Sequence, residues 1–179
     1  MSKIQVEQLR FADSALLLPK RQAMLRSSVR GNVSKYATPH RKPLPRKLVK
    51  KVEKNLGVEF KKRPRFYQYR PTVDGRIKKK TKAGNWMGYS SIYFNKKGKP
   101  VDAFIMLPEA YNADIKARNI VLEHELVENL AVQHGMHPGM AHNIALQYEK
   151  KALKKSKRFK NRQSLYATLK KLHNRNLER

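Results

Sequence analysis

The chain has no cysteine in its 179 residues, so neither a disulfide framework nor a thiolate metal site is open to it. Acids are scarce as well: 13 Asp+Glu stand against 41 Lys+Arg, a net charge of +28. Long apolar runs are missing, and no stretch approaches the roughly 20 residues needed to span a bilayer. Between Met1 and Arg30 the run Leu16-Leu17-Leu18 is broken at once by Pro19-Lys20-Arg21, which leaves no uninterrupted apolar core for a secretory leader. Nor is there a phosphate-cradling glycine loop, a sequence-specific DNA-binding motif or an internal repeat. The expectation is an intracellular or particle-bound protein that is not secreted and has no membrane partner. Its length allows one domain with a real core, plus tails.

The charge that is present is unevenly spread. From Val101 to Glu149 there are seven acids and two bases, a net of −5, so the rest of the chain carries +33. The same block holds four of the six histidines. A uniform basic coat would point only to a nucleic-acid binder, whereas an acidic island rich in histidine points to a separate site as well.

In chain order, residues 1–43 read as a basic arm. Ile4 to Leu18 could form a short helix or an anchor, and the segment from Pro19 to Pro43 is Arg/Lys/Ser-rich and broken by Gly31, Pro39 and Pro43. It is too poor in apolar residues to order itself, so a partner such as a structural RNA or packaged nucleic acid would have to. Pro45 to Gly57 then predicts an amphipathic helix, with Leu48, Val49, Val52 and Leu56 on one side. Val58 to Tyr69 is strand-like, its aromatics interleaved with bases; those rings could stack on a single strand or form the core side of a strand. Trp86 to Phe94 and Val101 to Leu107 predict a hairpin about the turn Asn95 to Pro100. Asn112 or Asp114 caps a long helix to Gln133, Gly135 closes it, and Pro138 opens another.

Phosphate contacts are expected from both ends of the chain and from two places between them. The arm offers Lys20, Arg21, Arg26 and Arg30, with Arg41 and Lys42 at its close. The polar face of the first helix offers Arg46, Lys47, Lys50 and Lys51, and a loop offers Lys78, Lys79 and Lys80. The segment 150–179 is read as a basic helical tail, contributing Lys154, Lys155, Lys157, Arg158, Lys160 and Arg162. Its apolar stripe is too thin for a membrane helix.

The acidic island contains His124-Glu125-Leu126-Val127-Glu128, a His-Glu-x-x-Glu pattern within a segment free of Gly and Pro. Positions i and i+4 share a helix face, so His124 and Glu128 point the same way and Glu125 lies about 100° round. A following helix supplies His142, and the two helices could converge His124, Glu128 and His142 on one cation. The plain alternative is a core histidine with two solvated glutamates. His134 and His137 are secondary ligand candidates, although His134 also suits the end of a helix, where its charge would complement the dipole.

The order of elements resembles the minimal core of zincin-like metallopeptidases: a helix, a small antiparallel sheet ending in an edge strand, then the helix with Val121-Leu122-Glu123-His124-Glu125-Leu126. The resemblance spans roughly Leu44 to Glu149, and Gln133-His134-Gly135 with Ala141-His142 is similar to small phage- and virus-encoded proteins. It implies that His124 is the first metal ligand and Glu125 the general base. Glu128 stands where zincins usually place a second histidine, and the resemblance makes His142 the candidate for the third ligand. Zinc accepts two histidines and a carboxylate, and so do iron and manganese.

The expected fold is therefore α+β: a small antiparallel sheet packed on a zincin-like pair of metal helices (44–149), with basic arms at 1–43 and 150–179. Two functions follow. One is a nucleic-acid-binding structural component of a virion or ribonucleoprotein particle, contacting DNA or RNA backbone and other particle proteins. The other is a zinc-dependent metallohydrolase, a peptidase, tethered to nucleic acid by its arms.

Overall fold

The computed structural model describes residues 37–71, 88–156 and 158–177, which form an α+β fold. In order these are β1 (Ala37–Lys42), α1 (Arg46–Leu56), β2 (Arg65–Pro71), β3 (Tyr89–Phe94) and β4 (Pro100–Pro108). A 3-10 turn (Glu109–Ala113) then leads to α2 (Ile115–Gln133), α3 (Pro138–Ser156) and α4 (Arg162–Leu177). Lys20, Arg21, Arg26, Arg30, Lys78, Lys79, Lys80 and Lys157 lie outside the described residues.

Local chemistry explains the first helix. Val49, Val52 and Leu56 recur at helical spacing and are buried, while Arg46, Lys47, Lys50 and Lys51 are exposed. Gly57 ends the helix at φ 71°, a left-handed conformation in which its N–H donates to the Glu53 carbonyl at 2.8 Å. The strand expected from Val58 begins only at Arg65. The Gln133 amide is the reason: it accepts from Lys62 N–H at 2.8 Å and donates to the Lys62 carbonyl at 2.7 Å. A helix side chain has taken the hydrogen bonds a strand would use, and Pro64 has no N–H to add.

The sheet runs β1-β2-β4-β3. The hairpin β3–β4 is antiparallel as expected, and β1 pairs antiparallel with β2. The expectation of a wholly antiparallel sheet is corrected, because β2 and β4 run parallel, with Phe66 opposite Ile105 and Gln68 opposite Leu107. These two strands are distant in sequence, so no tight turn dictates their direction. The strand before α2, β4, thus lies inside the sheet, and β1 and β3 are its edges.

Phe66, Ile92, Ala103, Ile105 and Leu107 join one buried cluster with α1, α2 and α3. Leu122, Leu126 and Leu130 are each 0% exposed, and α2 packs against β3, β4, α1 and α3. The C-terminal segment differs from a solvated arm. Helix α3 runs through residue 150 to Ser156, and Leu153, Phe159, Leu165 and Leu169 belong to the same core cluster. Lys154 and Lys155 on α3 and Lys170 and Lys171 on α4 are exposed.

Replacing Leu126 by Ala is expected to cost ~2–5 kcal/mol in denaturant unfolding. Ending the chain at Ser156 is expected to lower the melting midpoint rather than leave the core intact, because Leu165 and Leu169 would each forfeit about 1.5–3 kcal/mol of burial. An unchanged midpoint would show that α4 adds nothing to the core.

Candidate metal centre

Helix α2 places the first two groups. Its N-cap Asp114 accepts from Ala117 N–H at 3.1 Å, and no Gly or Pro interrupts it before Gly135 turns the chain at φ 87°. The connection to Pro138 is short, so α3 returns alongside α2 and carries His142 back to His124. The two imidazole centroids are 5.0 Å apart, with their planes at 71°.

Glu128 lies between the histidines. Its Oε2 is 3.5 Å from His124 Nε2 and 3.4 Å from His142 Nδ1. Donor atoms of His124, Glu128 and His142 all fall within 4.8 Å of one another. Donors around a tetrahedral ion at zinc bond lengths stand about 3.3–3.6 Å apart, so both carboxylate–imidazole separations suit a shared ion. Side-chain exposure rises from 7% at His124 through 26% at Glu128 to 44% at His142. The cluster therefore opens from the core to the surface, which gives an ion and a small reactant a way in.

Electrostatics tie these groups together. Burial alone would push the His124 pKa down, but the Glu128 and Glu149 carboxylates outweigh it and raise it to about 9. Burial would raise Glu128, and here too the two histidines prevail and lower it. Glu125 is raised to about 8, chiefly by burial. It is 7% exposed, takes a hydrogen bond from Ser90 on the edge strand, and lies within coulombic reach of His124 and Glu128. Gly88 is what lets that strand come so close: a Cβ there would stand 3.2 Å from Glu125 Oε1 and 2.4 Å from Leu107 Cδ2.

The secondary ligand candidates are engaged elsewhere. His134 Nε2 bonds the Glu59 carbonyl at 2.8 Å, and His137 Nδ1 accepts from Gly139 N–H at 3.0 Å at the start of α3. The expected phosphate contacts divide. Arg41, Lys42, Arg46, Lys47, Lys50, Lys154, Lys155 and Lys160 are exposed. Three others meet buried acids: Lys51 pairs with Glu123 at 2.6 Å, Arg158 with Asp114 at 2.7 Å and Arg162 with Glu149 at 3.0 Å.

Glu149 is the residue that reading the sequence for ligands passes over. It is 2% exposed, and its Oε2 stands 3.0 Å from His124 Nδ1, the ring nitrogen turned away from the ligand cluster. Its one sequence signal is position: it follows His142 by a heptad, which puts both on one face of α3. No family model matches the chain, and no curated protein or solved structure matches it.

The metal-free protein is expected to lose stability as pH rises from about 5 to 9. His124, ordinarily near 6.5, holds its proton in the folded state to about 9; its contribution is full below 6.5 and is lost as pH passes about 9. Glu125 acts in the same sense, because the folded chain keeps a proton to about 8 that the unfolded chain releases above 4.5. Melting in a chelator across this range checks the trend, and an excess of divalent metal should flatten it, since metal takes the place of protons. A midpoint that rises from pH 5 to 9 would refute the assignment.

Proposed function

We propose that the protein is a metallohydrolase of zincin-like design, in which His124, Glu128 and His142 hold one divalent cation and Glu125 serves as the general base. The observation that carries this reading is the convergence of the three donors within 4.8 Å of one another. Two imidazoles and a carboxylate suit zinc, and they also suit iron or manganese. The bound ion would supply Lewis acidity. Glu125 contributes a carboxyl group beside the cluster, shielded from solvent; burial raises its pKa to about 8, and a cation held next to it would lower that value and favour the carboxylate form a general base needs. Ser90 orients that carboxyl group, and the close backbone at Gly88 narrows the space above it. A peptide is the substrate class that the resemblance to zincins favours.

A second reading, as a nucleic-acid-binding component of a virion or ribonucleoprotein particle, is favoured by the net charge of +28 and by the exposed bases Arg46, Lys47 and Lys50 along one side of α1. The two readings are compatible, because the basic surface would deliver the centre to a particle or a nucleic acid without taking part in its chemistry.

Metal analysis of the purified protein should find one zinc or similar ion per chain, lost in His124→Ala. Glu125→Gln should keep the ion while hydrolysis of a generic peptide substrate disappears. A wild-type protein that takes up no divalent metal would refute the hydrolase. For the second reading, log K for duplex DNA should fall linearly with log salt, sloping about −0.9 per neutralised phosphate. Replacing both Lys47 and Lys50 by Ala should make that slope shallower by about the same amount for every phosphate the double variant leaves unneutralised. A slope unchanged in the double variant would remove α1 from the interface.

A further inference from the structure

We propose that Glu149, Arg162 and Tyr166 act as one positioning unit for His124, so that the metal centre is completed by the C-terminal helix α4. The inference rests on the metal-centre reading above and adds a dependence that the ligands themselves do not disclose. His124 offers Nε2 to the cluster, 3.5 Å from Glu128 Oε2. An imidazole that coordinates through Nε2 carries its proton on Nδ1, and an acceptor placed there fixes both the tautomer and the ring plane. Glu149 Oε2 stands 3.0 Å from Nδ1, off the line of a good hydrogen bond, and Nδ1 is buried with no hydrogen-bond partner among the described residues, so this carboxylate is the acceptor within reach of it.

Glu149 is in turn held from α4. Its Oε1 faces Arg162 Nε at 3.0 Å, and its Oε2 accepts from the Tyr166 hydroxyl at 3.5 Å. Arg162 Nη2 donates to that hydroxyl at 2.7 Å, and its guanidinium carbon lies 4.8 Å from the Tyr166 ring centroid. Arg162 and Tyr166 are i and i+4 on α4, one above the other, which is why one helix face can grip a single carboxylate. Glu149 is only 2% exposed, so water cannot replace these contacts, and a buried charge left without them is strongly disfavoured. Arg162 is a planar fork fixed by two partners, a geometry lysine cannot reproduce. A plain staple between α3 and α4 would use the same ion pair without any consequence for His124, and that is the alternative to be separated.

The test is a Co²⁺ titration of the full chain, reading the dissociation constant and the visible ligand-field bands, which report donor geometry. Glu149→Gln and Arg162→Ala should each weaken Co²⁺ binding by ~10–100-fold and shift the bands. Arg162→Lys should recover part of the affinity. Lys170→Ala removes the same charge from an exposed site on α4 and should leave both readouts unchanged. Circular dichroism confirms that each variant is folded. Should Arg162→Ala fail to fold, Tyr166→Phe carries the test, with an expected loss of about 2–10-fold for one hydrogen bond. Folded Glu149→Gln and Arg162→Ala proteins with wild-type affinity and bands would reduce the unit to a staple and overturn this inference alone. A wild-type chain that binds no Co²⁺ would overturn the centre itself.

Discussion

A helix buried on every side cannot carry ionisable groups unless neighbouring elements supply a partner for each. Helix α2 is buried along most of its length: Glu123, His124, Glu125, Asn129 and Gln133 are buried beside Leu122, Leu126 and Leu130. The surrounding fold can be described by what it offers them. Lys51 of α1 reaches Glu123, Ser90 of the edge strand reaches Glu125, and the backbone at Lys62 bonds Gln133. Helix α3 brings Glu149 to one nitrogen of His124 while His142 stands beside it, and α4 supplies Arg162 to Glu149. Arg158, just before α4, meets Asp114 at the other end of α2.

This arrangement gives the acidic island a physical role. Three of the buried acids, Asp114, Glu123 and Glu149, pair with a basic side chain from another part of the fold. Lys51, Arg158 and Arg162 reach buried acids while staying about half exposed, and among the described residues other exposed bases lie on α1, α3 and α4.

Glu128 is the carboxylate that the two histidines share. In the proposed centre its negative charge would moderate the Lewis acidity of a bound ion. It also attracts both imidazoles before any ion arrives, with its own pKa lowered by them, so that the donors stand together in the metal-free protein. Pre-assembly of this kind reduces the reorganisation that binding a cation requires.

Much of this was legible in the sequence because it depends on short separations. The i, i+4 spacing of His124 and Glu128, the Gly57 and Gly135 stops, the Asp114 cap, the hairpin around Asn95 and the short link that returns His142 are all decided within a few residues by backbone geometry. The α+β class follows from the same local patterns. Tertiary structure alone decided the parallel pairing of β2 with β4, the loss of a strand at 58–64 to the Gln133 amide, and the packing of α4 into the core. It also decided which bases meet buried acids. Arg162 and Lys160 look alike in sequence, yet only Arg162 faces a buried carboxylate, because the partner of a charge is set by how helices pack and not by its neighbours along the chain.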